Sequence, residues 1–86
     1  MLVQYFRMDG CPHCERFDSV WSQLKAVGGS ANVEFQQFEA GSPEAEKYGV
    51  RAFPHIQMVV DGAAKVYEGS RSKEAIEKFI ASKGSS

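Results

Sequence analysis

Only two of the 86 residues are cysteine, Cys11 and Cys14, so no framework of structural disulfides can hold this chain together. The fold must come from an apolar core, and any disulfide within the chain must join this one pair across Pro12 and His13. So short a loop removes little entropy from the unfolded chain, which suits the bridge to being made and broken rather than to bracing a structure. Long apolar runs are lacking as well. Met1 to Arg7 is too short for a signal peptide, and Ile56 to Val60 is interrupted by Gln57, so neither a membrane span nor an anchor is expected. No charge of one sign dominates: 10 Lys and Arg face 11 Asp and Glu, the net charge is -1 and the pI is near 6.1. The basic residues are scattered along the chain, which argues against a nucleic-acid footprint. No repeat and no linker interrupts the sequence. One domain is therefore expected over residues 1–82, followed by a frayed tail from Lys83 to Ser86. A lone dithiol pair in so small a domain reads as chemistry in a reducing compartment, with the cytoplasm as default.

What is present falls into alternating elements. Leu2 to Phe6 is apolar or aromatic at most positions, as in a strand buried on both faces. From Pro12 onward, Phe17, Val20, Trp21, Leu24 and Val27 recur at helical spacing until Gly28-Gly29 stops the helix. Val33, Phe35 and Phe38 suggest a second strand with imperfect alternation. Ala40-Gly41-Ser42-Pro43 then opens a short helix from Glu44 to Tyr48, ended by Gly49. Two strands joined through a helix pair in parallel. Ile56 to Val60 and Ala64 to Tyr67 flank Asp61-Gly62, the signal of a type I′ hairpin, so these two are antiparallel. Ser72 can cap a final helix whose Ile76, Phe79 and Ile80 share one face. The order is βαβαββα, an α/β chain.

The chemistry-bearing run is Asp9-Gly10-Cys11-Pro12-His13-Cys14-Glu15. Pro12 marks the first turn of the helix, where backbone N–H groups point outward and favour an anion, so a thiolate is at home there. An imidazole beside Cys11 adds to this if His13 is protonated or donates a hydrogen bond. Zinc does not fit, because a tetrahedral site needs four ligands and His55 is the only other imidazole. Trp21, Phe17 and Leu24 read as core, Arg51 and Lys47 as solvated residues, and His55 as a strand residue without a direct role.

With these residues in place, the chain resembles the thioredoxin superfamily over nearly its whole length. Two separated signatures carry the likeness. One is Cys11-Pro12-His13-Cys14 between a buried strand and a helix. The other is Lys47-Tyr48-Gly49-Val50-Arg51-Ala52-Phe53-Pro54, followed by a strand and the turn Asp61-Gly62. The resemblance implies a minimal thioredoxin fold, a four-stranded mixed sheet of order 2-1-3-4 with helices on both faces. It implies that Pro54 is cis and lies against the active-site sulfurs, that Phe53 pairs with substrate backbone and walls the groove, and that Gly69 keeps the groove open.

Departures from the family pattern are equally specific. The N-terminal strand and helix of thioredoxin are not in this chain, and the tryptophan usual before the first cysteine is Gly10. The buried acid expected six residues before that cysteine is Tyr5, and its lysine partner aligns with Phe35. Tyr67-Glu68-Gly69-Ser70-Arg71 occupies the region where a glutaredoxin holds a glutathione carboxylate, which weighs against dedicated glutathione binding.

By resemblance, then, the chain is a dithiol-disulfide oxidoreductase acting on protein substrates. Cys11 attacks as thiolate, Cys14 resolves the mixed disulfide, and Pro12 and His13 tune the pair. A glutaredoxin-like reductase, or a binding module whose redox activity is incidental, are the other readings. No cofactor beyond the Cys11-Cys14 disulfide is implied. Electrons are expected from a thioredoxin-reductase-like flavoprotein or from glutathione, and the protein is expected to be a monomer.

Overall fold

The computed structural model describes residues 1–27 and 33–82. The expected stop at Gly28-Gly29 and the tail after Ser82 lie outside the described residues. Seven elements follow in the order β1 (Leu2–Arg7), α1 (Pro12–Val27), β2 (Glu34–Glu39), α2 (Pro43–Lys47), β3 (His55–Val60), β4 (Ala63–Val66) and α3 (Lys73–Ala81). They make one four-stranded sheet of order β2-β1-β3-β4, the expected fold class. The β1 strand pairs in parallel with β2, Leu2 opposite Glu34 and Arg7 opposite Glu39. It pairs antiparallel with β3, Tyr5 opposite Ile56, and β3 pairs antiparallel with β4.

β1 is central, and this explains its composition. Val3, Gln4, Tyr5 and Phe6 are all buried because both faces of the strand are covered. Val3 and Tyr5 point toward α1 and α3, where they meet Phe17, Trp21, Leu24, Ile56, Met58, Ile76 and Phe79 in the main core. Tyr5 lies edge-on to Phe17, with ring centroids 4.8 Å apart, and 5.2 Å from the Trp21 ring. Each such side chain contributes roughly 1.5–3 kcal/mol by leaving water. Phe6 faces the other way, against Phe38, Tyr48 and His55, beneath α2.

The alternation of β2 is imperfect because it is an edge strand, with no residue fully buried. Ser42 and Ser72 cap α2 and α3, each side-chain oxygen accepting from the backbone N–H three residues on. Asp61 and Gly62 both have positive φ, 51° and 81°, the backbone a type I′ turn requires.

On the α2 side of the sheet, polar side chains form a ladder across three strands, running from half-buried His55 through buried Gln57 and Gln4 to half-buried Gln36 and exposed Glu34. The His55 Nε2–H donates to Gln57 Oε1 at 2.9 Å, and Gln57 Nε2 donates to Gln4 Oε1 at 2.7 Å. Gln4 Nε2 then donates to Gln36 Oε1 at 2.9 Å, and Gln36 Nε2 to Glu34 Oε2 at 2.8 Å. Gln4 and Gln57 are 3% and 1% exposed, so these bonds are what makes their burial tolerable.

Candidate active site

β1 ends at Arg7, and the chain turns through Met8 to Gly10 before α1 begins at Pro12. Gly10 adopts φ +78°, a left-handed conformation that a tryptophan would resist, which accounts for glycine at this position. The turn closes with the Cys11 N–H on the Met8 carbonyl at 3.3 Å. Pro12 opens the helix without wasting a donor.

The two thiols, both free, are unequal. Cys11 is 7% exposed and Cys14 is fully buried. The Cys14 backbone N–H donates to Cys11 Sγ at 3.3 Å, and Cys11 Sγ lies 3.9 Å from the Phe53 carbonyl. Hydrogen bonds from the Cys14 thiol, from its backbone N–H and from the His13 backbone N–H, together with the charge of Arg71, hold the Cys11 thiol below the ordinary range. Burial and the bond that Cys14 gives to Cys11 push the Cys14 thiol up. The two sulfurs are thus biased in opposite senses, Cys11 toward the thiolate and Cys14 toward the protonated thiol.

The remaining expected site residues fall into place unevenly. The Phe53-Pro54 bond is cis, and its loop faces Cys11 through the Phe53 carbonyl. The Phe53 ring is half-buried and borders a depression of about 530 Å³ between α2 and the segment leading to Pro54, which contains neither cysteine. Arg51 lines the same depression, while Lys47 sits over the Tyr48 ring at 5.3 Å. Gly69 adopts φ +155°, and a Cβ there would lie 3.1 Å from the Tyr67 hydroxyl. That hydroxyl donates to the Ser70 carbonyl, so the loop is closed by its own tyrosine. His13 reaches Cys11 through its backbone N–H, and its side chain lines a separate cleft with Arg16 and Arg71. His55 ends the amide ladder.

Three residues near the dithiol were not singled out from the sequence as site residues. The Tyr5 hydroxyl, fully buried, donates to Asp18 Oδ1 at 2.8 Å and reaches the Cys14 carbonyl at 3.0 Å. Arg7 completes the group, its Nε 3.4 Å from Asp18 Oδ1 and its Nη1 near Asp9 and Glu39. Burial first, and then the Asp18 carboxylate, hold the Tyr5 phenol protonated well above the ordinary tyrosine range. A carboxylate is therefore linked through the Tyr5 hydroxyl to the Cys14 backbone carbonyl, supplied from α1 rather than from β1. The signal was available as spacing, since Asp18 stands one helical turn after Cys14. Phe35, at the position of the absent lysine, packs edge-on against Trp21.

Among the described residues no group of three or more His, Cys, Asp or Glu could hold a metal ion. None of the described helices is long and apolar enough to cross a membrane.

A βαβ–ββα sheet that carries a vicinal dithiol at a helix N-terminus, faced by a cis-proline loop, defines a class of domain suited to thiol–disulfide chemistry. The family model for thioredoxin matches residues 1–82, and the chain belongs to the thioredoxin family. It is 33% identical over 84 residues to protein disulfide isomerase-like 2-3 of Oryza sativa subsp. japonica, covering 95% of this chain and 19% of that protein. Human protein disulfide-isomerase TMX3 is 29% identical over 73 residues, covering 80% and 16%. The chain thus spans about a fifth of the length of these curated relatives. Among solved structures, the J-Trx1 fragment of ERdj5 superposes with a TM-score of 0.79 at 26% identity, over 94% of this chain and 41% of that one. The first thioredoxin domain of mouse protein disulfide-isomerase A4 superposes with a TM-score of 0.82 over 98% of this chain and 63% of that one, and at 23% identity this likeness is of fold.

Proposed function

We propose that the chain is a dithiol-disulfide oxidoreductase that exchanges disulfides with protein substrates. The observation that carries this reading is the asymmetry of the pair, a Cys11 that keeps 7% exposure and has a lowered pKa, and a fully buried Cys14 with a raised one. The Cys11 thiolate attacks one sulfur of the substrate disulfide, forming a mixed disulfide and releasing the other sulfur as a thiolate that takes up a proton. Cys14 then loses its proton and attacks Cys11 Sγ, releasing the second substrate sulfur. Two electrons pass to the substrate, and the Cys11-Cys14 disulfide remains. Run backwards, the same steps oxidise a dithiol.

Turnover needs the dithiol to be regenerated, for which a thioredoxin-reductase-like flavoprotein or glutathione is the expected donor. A reducing compartment, with the cytoplasm as default, suits a domain whose only cysteines are this pair. The test is insulin reduction followed by turbidity in the presence of a small dithiol. The expected result is precipitation that depends on Cys11, with Cys14→Ser accumulating protein mixed disulfides. Absence of both would overturn the reading in favour of a binding module.

A further inference from the structure

One cleft along the first turns of α1 has no part in the exchange described above. It measures about 230 Å³ and is lined by His13, Arg16, Phe17, Val20 and Arg71. Phe17 is buried and Val20 half-buried, whereas His13, Arg16 and Arg71 are exposed. The cleft therefore has an apolar floor and a cationic rim. His13 and Arg16 come from the first turns of α1, and Arg71 from the loop between β4 and α3. The rim includes no carboxylate. Asp9, Asp18 and Glu39 are gathered by Arg7 instead. In a chain of net charge -1 this notch is a local exception; one of its lining residues, His13, lies between the two cysteines in the chain, and the charge of another, Arg71, acts on Cys11.

We infer that this cleft receives an acidic side chain of the substrate polypeptide, within one or two residues of the cysteine that Cys11 attacks. The proposal rests on the disulfide-exchange reading above and adds a substrate class to it. A substrate cysteine held at Cys11 carries its neighbours with it, and an extended chain advances about 3.3 Å per residue, so an adjacent residue comes within reach of the cleft. Arg16 and Arg71 offer guanidinium forks to the carboxylate, and Phe17 and Val20 offer apolar surface to its methylenes. Opposite charge at a rim also speeds encounter, an effect that salt removes.

The test uses the Cys14→Ser protein and three pyridyl-disulfide peptides that differ only in the residue beside cysteine, Glu, Gln or Lys. Release of the neutral thiopyridone reports the rate of attack by Cys11. The expected result at low ionic strength is that the Glu peptide reacts roughly tenfold faster than the Lys peptide, about threefold for each arginine as befits exposed ion pairs. That ratio should fall about threefold in Arg16→Gln or Arg71→Gln. It should approach one in the double variant and in about 0.5 M salt, where the screening length is only a few ångströms. Because Arg71 also acts on Cys11 itself, the ratio between peptides is the measure, and Arg16→Gln tests the second cation of the rim separately.

Equal rates for the three peptides, or a ratio unmoved by both variants, would overturn the acidic cleft while leaving disulfide exchange intact. If oxidised glutathione responds to the variants as strongly as the Glu peptide, the cleft is a site for the small tripeptide and the proposal fails in favour of that ligand. If no peptide reacts at Cys11, the exchange reading fails and this proposal falls with it.

Discussion

Replacing Tyr5 by Phe removes one oxygen atom from between β1 and the first turns of α1 and leaves the ring where it is. The ring's contacts with Phe17 and Trp21 are unchanged, so the cost is that of the hydroxyl alone. This hydroxyl is fully buried, and its one proton goes to Asp18 Oδ1 at 2.8 Å or is shared with the Cys14 carbonyl at 3.0 Å. A neutral hydrogen bond contributes about 1 kcal/mol net and one to a charged acceptor about 1.5–3. The Asp18 side chain is 42% exposed and regains water when the hydroxyl is gone, so the charged bond counts at its lower end. The expected loss is about 2 kcal/mol, or a fall in Tm of roughly 10 °C for a domain of this size.

Urea and thermal unfolding of the reduced protein measure it. A double-mutant cycle with Asp18→Ala should return a coupling of about 1 kcal/mol. The pH dependence has a definite sign. The folded phenol binds its proton more tightly than the unfolded one, so this contribution is fully present below the unfolded tyrosine pKa, near 10, and is lost as pH rises above it. The gap between wild type and Tyr5→Phe should narrow in that range. Tyr67, also raised by burial, is common to both proteins and cancels. A Tyr5→Phe protein within about 0.5 kcal/mol of wild type at neutral pH would refute the reasoning, because that is the ordinary scatter of surface substitutions.

Three further outcomes are expected. Iodoacetamide at neutral pH should modify Cys11 roughly tenfold or more faster than Cys14, since the thiolate is the reactive form; peptide mapping by mass spectrometry would read the difference. Gly69→Ala should cost about 1–2 kcal/mol in urea unfolding, because its Cβ would press on the Tyr67 hydroxyl and disturb the edge-on packing of that ring with Phe79 at 4.9 Å. Gln57→Leu should cost about 2 kcal/mol by leaving the Gln4 amide oxygen and the His55 ring N–H unpartnered, and adding Gln4→Leu should restore part of it, as shown by urea midpoints.

Much of this architecture was legible in the sequence because local signals and long-range pairing agree. The mostly apolar run of β1, interrupted only at Gln4 between Leu2 and Phe6, announces a central strand, Asp61-Gly62 announces the hairpin, and the spacing from Phe17 to Leu24 announces the buried face of α1. Boundaries moved by a residue where capping decides them, as at α2, which begins at Pro43 behind the Ser42 cap rather than at Glu44. Cys11 and Cys14 were legible because they stand three apart in the chain. The Tyr5–Asp18–Arg7 group was not, because it joins side chains from two elements, and alignment to a family shows only that an acid is missing from β1. That the His13 backbone N–H, rather than its ring, is among the influences lowering the Cys11 thiol was equally hidden, since a backbone N–H carries no residue-specific signal.

The amide ladder from His55 to Glu34 has a consequence beyond keeping buried polar groups bonded. Every donor in it points the same way, from β3 through β1 to the edge of β2, so each amide can take its place only if its neighbours are already in step. A slip of one residue in either pairing would swing the glutamines into the aromatic core, and a slip of two would set amides against apolar neighbours. The ladder thus works like the teeth of a key, accepting one alignment of three strands. That alignment brings His55, and with it the Pro54 loop, level with Phe6 at the end of β1 from which the dithiol turn departs.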